Sequence, residues 1–219
     1  MKKRCGVTQY SSSNQHKRLA VCEEAARIMD QQGIRDFQMA KTKAAQRLGL
    51  GSRFPLPSNR EIEEILRQRL RLFNAEYQAD RGSTLWCAAA AIMAAFSRYE
   101  PRLVGALLRG VVTEKTPVEL HLFADTPEEI VGSFELHAMP YEIFEKRVRF
   151  RRKRYTFIQA FRFARGDVGV EVLVFGRKDI REAPLCPVDG QPMQRIALRR
   201  VREIQASGSP AGTSHQVVM

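Results

Sequence analysis

Glu119 and Glu171 are the residues whose setting points most directly to chemistry. Each is a carboxylate inside an alternating apolar stretch, Glu119 in VELHLFA (118–124) and Glu171 in GVEVLVF (169–175). A charge flanked by valine and leucine must face solvent, a cation or a partner, because burying it alone is strongly unfavourable. Two or three carboxylates converging on Mg²⁺ would support metal-assisted chemistry at a phosphate, since the ion bridges phosphate oxygens and activates an attacking oxygen. The competing reading places both glutamates on the open face of a sheet. His121 lies two residues beyond Glu119 and so on the same strand face, where an imidazole can meet a phosphate or a base. Arg109 offers a bidentate guanidinium fork for phosphate. Asp125 is explained by a helix-capping role. No P-loop, nucleophile elbow or His-Glu-x-x-His pattern is present, which excludes the commonest hydrolase routes.

The stretch Arg102 to Asp125 must position the first glutamate. It opens on Leu103-Val104, turns through Gly105-Ala106, passes Arg109-Gly110 and a polar loop from Thr113 to Thr116, and enters a second run. In that run Val118, Leu120 and Leu122 alternate with Glu119, His121 and Phe123, the period of a half-buried strand.

Strand, glycine turn, connection and acidic strand together resemble the nucleotidyltransferase superfamily, the polymerase-β-like palm. In the resemblance Gly105 and Ala106 stand at the Gly-Ser turn and Arg109-Gly110 at the Arg-Gly pair. Pro117 and Glu119 stand at the two acids of the Asp-x-Asp strand, and Glu171 at the later third acid. Ala106 lacks the phosphate-holding hydroxyl, and Pro117 replaces one metal-binding acid. The resemblance implies a metal and catalytic role for Glu119 and Glu171, with Mg²⁺ as cofactor. It implies a nucleotide-binding role for Gly105, Ala106, Arg109, Gly110 and His121, with a nucleoside triphosphate as partner. It covers mainly residues 100–180.

Residues 1–14 are polar, basic and serine-rich, and read as a disordered tail. Apolar periodicity predicts helices over 15–32, closed by Gly33, and 35–48, closed by Gly49. A third helix, about 60–77, opens on a Ser58/Glu61 capping box and turns Ile62, Ile65, Leu66, Leu70 and Phe73 inward. Ala40 to Gly49 also looks like the second helix of a helix-turn-helix, but Pro55 and Pro57 interrupt before any recognition helix. Arg81-Gly82-Ser83 reads as a break, followed by a helix apolar nearly all round to Tyr99, expected to be buried. Another helix starts at TPEEI and ends near His137. Strands follow over 139–150, 155–163 and 169–175, the last two as an antiparallel pair across Arg165-Gly166-Asp167. In the first of these Tyr141, Ile143 and Val148 are expected inward. Pro187 to Gly190 is a turn, a basic helix runs from about Met193 to Gln205, and 207–219 reads as disordered. The expectation is an α+β chain: a helical N-terminal domain (15–80), then a small mixed β-sheet with helices packed on one face (83–206).

The run Glu145 to Arg154 holds seven basic residues in ten: Lys146, Arg147, Arg149, Arg151, Arg152, Lys153 and Arg154. They are the candidate nucleic-acid ribbon, with Phe150 and Tyr155 available to stack on bases; the competing reading is a solvated hairpin edge guarded by charge. The formal charge of +12 attracts polyanions, so RNA or DNA joins the nucleotide as an expected partner. No run approaches the ~18–20 apolar residues of a membrane span, and no apolar segment follows the basic N-terminus as in a signal peptide. No membrane association and a cytoplasmic location are therefore expected. Cys5, Cys22, Cys87 and Cys186 lack metal-ligand spacing and read as reduced thiols.

Three functions fit. The first is metal-dependent transfer of a nucleoside monophosphate to an unidentified acceptor. The second is a non-catalytic nucleic-acid- or nucleotide-binding adaptor on the same fold. The third is a DNA-binding regulator led by the N-terminal helices.

Overall fold

A computed structural model describes residues 6–73, 75–136, 138–151 and 155–207. The chain divides into two compact units, residues 1–75 and 76–219.

The first unit is helical: α1 (Gly6–Gln32), α2 (Phe37–Arg47) and α3 (Asn59–Phe73). α1 begins at Gly6 rather than near Gln15, so the polar stretch from residue 6 is helical; residues 1–5 lie outside the described set. Both helix-ending glycines are where the periodicity stops, Gly33 at φ 63° and Gly49 at φ 65°, in the left-handed region that glycine enters without steric cost. The capping box forms as expected: the Ser58 amide donates to Glu61 Oε2 at 2.7 Å, and the Glu61 amide donates to Ser58 Oγ at 3.2 Å. Ile62, Leu66 and Leu70 are buried, whereas Phe73 is exposed at the end of α3, where Arg69 stacks over its ring. α2 and α3 both pack on α1. Residues 48–58 separate them, and α3 starts only after Pro55 and Pro57, so the tight turn of a helix-turn-helix is not made.

Glu61 also clamps α3 to α1. Arg18 donates to both carboxylate oxygens, at 2.8 and 2.7 Å. The Arg18 hydrogen bonds, aided by those of Ser58, pull the Glu61 carboxyl down to about 2 from an ordinary 4.5. A carboxyl held lower in the fold than in the unfolded chain stabilises above the unfolded value and loses that contribution as pH falls towards the folded one. Thermal melts of the full chain between pH 7 and pH 2 should therefore show wild type losing more stability below about pH 4.5 than Glu61→Gln does. Equal losses in both would remove this role from Glu61.

The second unit opens with α4 (Ala75–Ala95), which runs through Arg81-Gly82-Ser83 without a break. A mid-helix glycine costs only about 1 kcal/mol, and the helix packs Leu85, Trp86, Ala89, Ile92 and Met93 into the core. Arg81 forms an ion pair with Asp167. α4 is not buried all round: Ser83, Thr84, Cys87 and Ala94 are exposed.

A 3₁₀ turn (Ser97–Tyr99) then delivers the chain to β1 (Arg102–Val104), followed by β2 (Val118–Ala124), α5 (Glu128–Leu136), β3 (Glu142–Arg149), β4 (Tyr155–Arg165), β5 (Val168–Gly176), a 3₁₀ segment (Arg177–Arg181), β6 (Ile196–Ala197) and α6 (Leu198–Ala206). The expected tail helix thus starts later, at Leu198, because residues 196–197 pair with β1 as a strand. His137 and residues 208–219 lie outside the described residues.

The strands form one mixed sheet in the order β3-β4-β5-β2-β1-β6. β2 and β5 run parallel at its centre, and every other neighbouring pair is antiparallel. The chain is α+β, with helices on one sheet face. There α4, α5 and α6 cover Leu120, Leu122, Val170, Val172, Phe161 and Phe163 around Phe96, Phe134 and Val201. The opposite face carries Glu119, His121 and Phe123, as the alternation requires, and beside them a smaller apolar cluster of Phe123, Phe150, Ala160, Leu173 and Phe175. Ile143 is exposed, contrary to expectation, whereas Tyr141 stacks on Phe134 and Val148 packs against the smaller cluster. Ile143 and Val148 are an odd number of residues apart, so one strand cannot bury both on the same face. Among the described residues, no helix is long and apolar enough to cross a membrane.

Candidate functional site

Parallel pairing of β2 with β5 sets Glu119 directly beside Glu171, in a register that also joins His121 to Leu173 and Phe123 to Phe175. Glu171 is 4% exposed. Two carboxylates side by side repel, and the fold answers with cations from two other strands. Lys146 of β3 reaches over β4 and sets Nζ 3.5 Å from Glu119 Oε1 and 3.2 Å from Glu171 Oε2. Arg162, the register partner of Glu171 on β4, donates Nη2 to Glu171 Oε1 at 3.2 Å.

The glycine turn completes this cluster. Gly105 has φ 88°, and a Cβ built on it would fall 1.7 Å from Glu119 Oε2. Only glycine leaves room for the glutamate to fold over the turn, where the Ala106 amide donates to Glu119 Oε2 at 3.3 Å. Gly105, Ala106, Glu119 and Glu171 are therefore brought together, and the turn amide holds the glutamate. Arg109 and Gly110 lie in the next turns; the amides of Arg109 and Val111 both donate to Ala106 O, and that of Gly110 donates to Leu107 O. Those backbone donors close the loop.

His121 is on the same face but enclosed, at 1% exposure. Its Nδ1 accepts a hydrogen bond from Arg195 Nε at 3.0 Å, and its ring lies 4.6 Å from that of Phe175. Burial, with the charges of Arg195 and Lys146 behind it, pushes the imidazole well below its ordinary range, so it is neutral at pH 7. Arg195 sits over the rings of Phe123 and Phe175 and donates Nη1 to the carbonyls of Asp179, Ile180 and Glu182. Burial lowers its guanidinium to about 10. It ties the segment after β5 down onto the sheet.

The basic ribbon separates by strand parity. Lys146 turns to the glutamates together with Phe144 and Val148, while Arg147 and Arg149 are exposed on β3 and Arg151 follows, also exposed. Arg152, Lys153 and Arg154 lie outside the described residues. Phe150 is buried at 3% exposure against Phe175, so the aromatic expected to stack on bases is in the second apolar cluster.

Lys146, Arg162 and Arg195 were not legible as partners of the acidic strands. Lys146 had one signal, its alternation with the apolar Phe144, Val148 and Phe150. For Arg162 and Arg195 nothing in the sequence shows which strand or loop lies alongside.

Two carboxylates fit one Mg²⁺, which takes one or two protein carboxylates and fills its remaining positions with water and phosphate oxygens. Among the described residues no group of three His, Cys, Asp or Glu side chains forms a metal cluster. The bridging position between the two glutamates is held by the Lys146 ammonium. No family model, curated protein or solved structure matches the chain.

Proposed function

We propose that the paired glutamates form a nucleotide site and that the chain acts as a nucleotidyltransferase-like protein. It would transfer a nucleoside monophosphate from a nucleoside triphosphate to an acceptor oxygen, breaking the α–β phosphoanhydride bond and releasing pyrophosphate. The observation that carries this reading is the in-register juxtaposition of Glu119 and Glu171 at the parallel centre of the sheet, beside a turn that admits no side chain at Gly105. Glu119 and Glu171 would hold Mg²⁺, which supplies charge neutralisation to the phosphates and orients the reacting oxygens. Arg162 keeps the Glu171 carboxylate in place, and the Ala106 amide does the same for Glu119. Lys146 moves off the bridge and remains beside the phosphates as a second cation. Its side chain is 38% exposed and long enough to swing.

One observation favours binding without catalysis at the same place. Lys146 already neutralises the glutamate pair, and Pro117 stands where the resemblance puts another acid. In that reading the chain is an adaptor that captures the anion.

Calorimetry with ATP, GTP, CTP and UTP, with and without Mg²⁺, separates these outcomes. Transfer chemistry requires Mg²⁺-dependent binding that weakens at least about tenfold, roughly 1.4 kcal/mol, in Glu119→Gln and Glu171→Gln. Binding that ignores both Mg²⁺ and the glutamates supports the adaptor. No binding of any nucleotide removes both readings.

A further inference from the structure

The hairpin that sends Lys146 to the glutamates presents a different chemistry on its other side. Register pairs Arg147 with Phe157 and Arg149 with Tyr155, so Arg147, Phe157 and Tyr155 gather on the outer half of the β3–β4 ribbon. Phe157 is 65% exposed and Tyr155 51%. The helical layer reaches Phe161, where Phe134 and Tyr141 close over it, and Phe157 lies beyond that cover. The Arg147 guanidinium lies 4.0 Å from the Tyr155 ring centroid, already stacked. Two large aromatic rings more than half exposed on a strand surface, one of them already carrying an arginine, mark an interaction site.

We infer that this face is a stacking platform for single-stranded nucleic acid. Residues two apart on a strand stand about 6.6 Å from one another on one face, so Tyr155 and Phe157 can each take one base of an extended strand. Sheet-borne aromatics do this in known single-strand readers. Charge selects the same occupant. Arg147 stacks on one of the rings, Arg149 shares its strand face with Glu145 and is exposed, Arg151 just past β3 is exposed too, and the whole chain carries +12. A second copy would oppose like charges across the contact. A duplex offers phosphates, but its bases are stacked within the helix and cannot lie on the rings. The inference does not rest on the paired-glutamate reading, because Lys146 and the glutamates occupy the other face of the sheet.

Fluorescence anisotropy with labelled oligo(dT) and oligo(U) of about 12 nucleotides, and with a duplex of the same length, tests it. The full chain is used without Mg²⁺ or nucleotide, so failure of the glutamate site leaves this readout untouched. Both single strands should bind more tightly than the duplex. Phe157→Ala and Tyr155→Ala should each weaken single-strand binding by roughly 5- to 100-fold. Phe157→Trp, which keeps a stacking face, should retain it. Arg147→Ala should weaken binding and flatten its salt dependence. Duplex binding as tight as single-strand binding, or alanine variants that bind like wild type, would overturn the inference. So would an absence of oligonucleotide binding, including the case in which sedimentation shows Phe157-dependent self-association.

Discussion

Lys146→Met is expected to lower stability by on the order of 2 kcal/mol at pH 7 and, without nucleotide, to be stabilised by Mg²⁺ more than wild type is. The substitution keeps an unbranched side chain of nearly the same length and removes its charge. Glu119 and Glu171 would then stand side by side on neighbouring strands without the ammonium that bridges them, while Arg162 stays on Glu171 Oε1. Removing one partner from a buried charge cluster costs more than the pair contributed, because the remaining charge is left desolvated. The half-open position of Lys146 holds the loss below the 3–5 kcal/mol of a fully enclosed pair. A divalent cation should relieve the repulsion: Mg²⁺ at about ten times its Kd returns roughly 1.4 kcal/mol by mass action. Denaturant titrations of wild type and Lys146→Met, each with and without Mg²⁺, read all of this. A variant stabilised by Mg²⁺ beyond wild type shows that the glutamates form a cation site once the lysine leaves. A variant as stable as wild type and indifferent to Mg²⁺ would sink the electrostatic account of the cluster.

Gly105→Ala is the second large effect, expected at about 3 kcal/mol. Two causes act together. The left-handed backbone at φ 88° costs a residue with a Cβ about 1–2 kcal/mol. The new methyl would also meet Glu119 Oε2 at 1.7 Å and Cδ at 2.7 Å, so the carboxylate must swing away. That movement gives up the hydrogen bond from the Ala106 amide, worth about 1.5–3 kcal/mol for a charged acceptor before any rearrangement. A double-mutant cycle separates the causes. In a Glu119→Ala background only the backbone cost remains, so Gly105→Ala should cost about 1–2 kcal/mol there. If the cost is the same in both backgrounds, the turn is not shaped around the glutamate.

Local features of the chain could be read without the fold. The Ser58/Glu61 capping box, the stops at Gly33 and Gly49, and the alternation of Val118, Leu120 and Leu122 against Glu119, His121 and Phe123 depend on residues within a few positions of one another. Helix caps and strand parity are local physics. Where local signals misled, tertiary packing was stronger. Gly82 continues a helix because Leu85, Trp86 and Ala89 anchor that helix in the core. Phe73 ends up exposed although it falls on the apolar stripe of α3, and Ile143 is exposed on the edge strand β3 although its register partner Phe161 is buried.

The sequence by itself determined that Glu119 and Glu171 are carboxylates on strands, that Gly105 begins a turn, and that Lys146 shares parity with Phe144 and Val148. Each follows from side-chain period and backbone permissiveness, which are written residue by residue. Only the tertiary structure decided that β2 and β5 are parallel neighbours with the glutamates in register, that Lys146 crosses β4 to lie between them, and that His121 is sealed under Arg195. Strand order and register arise from contacts between residues tens of positions apart. A period of two tells which face a side chain takes, but not which strand lies beside it.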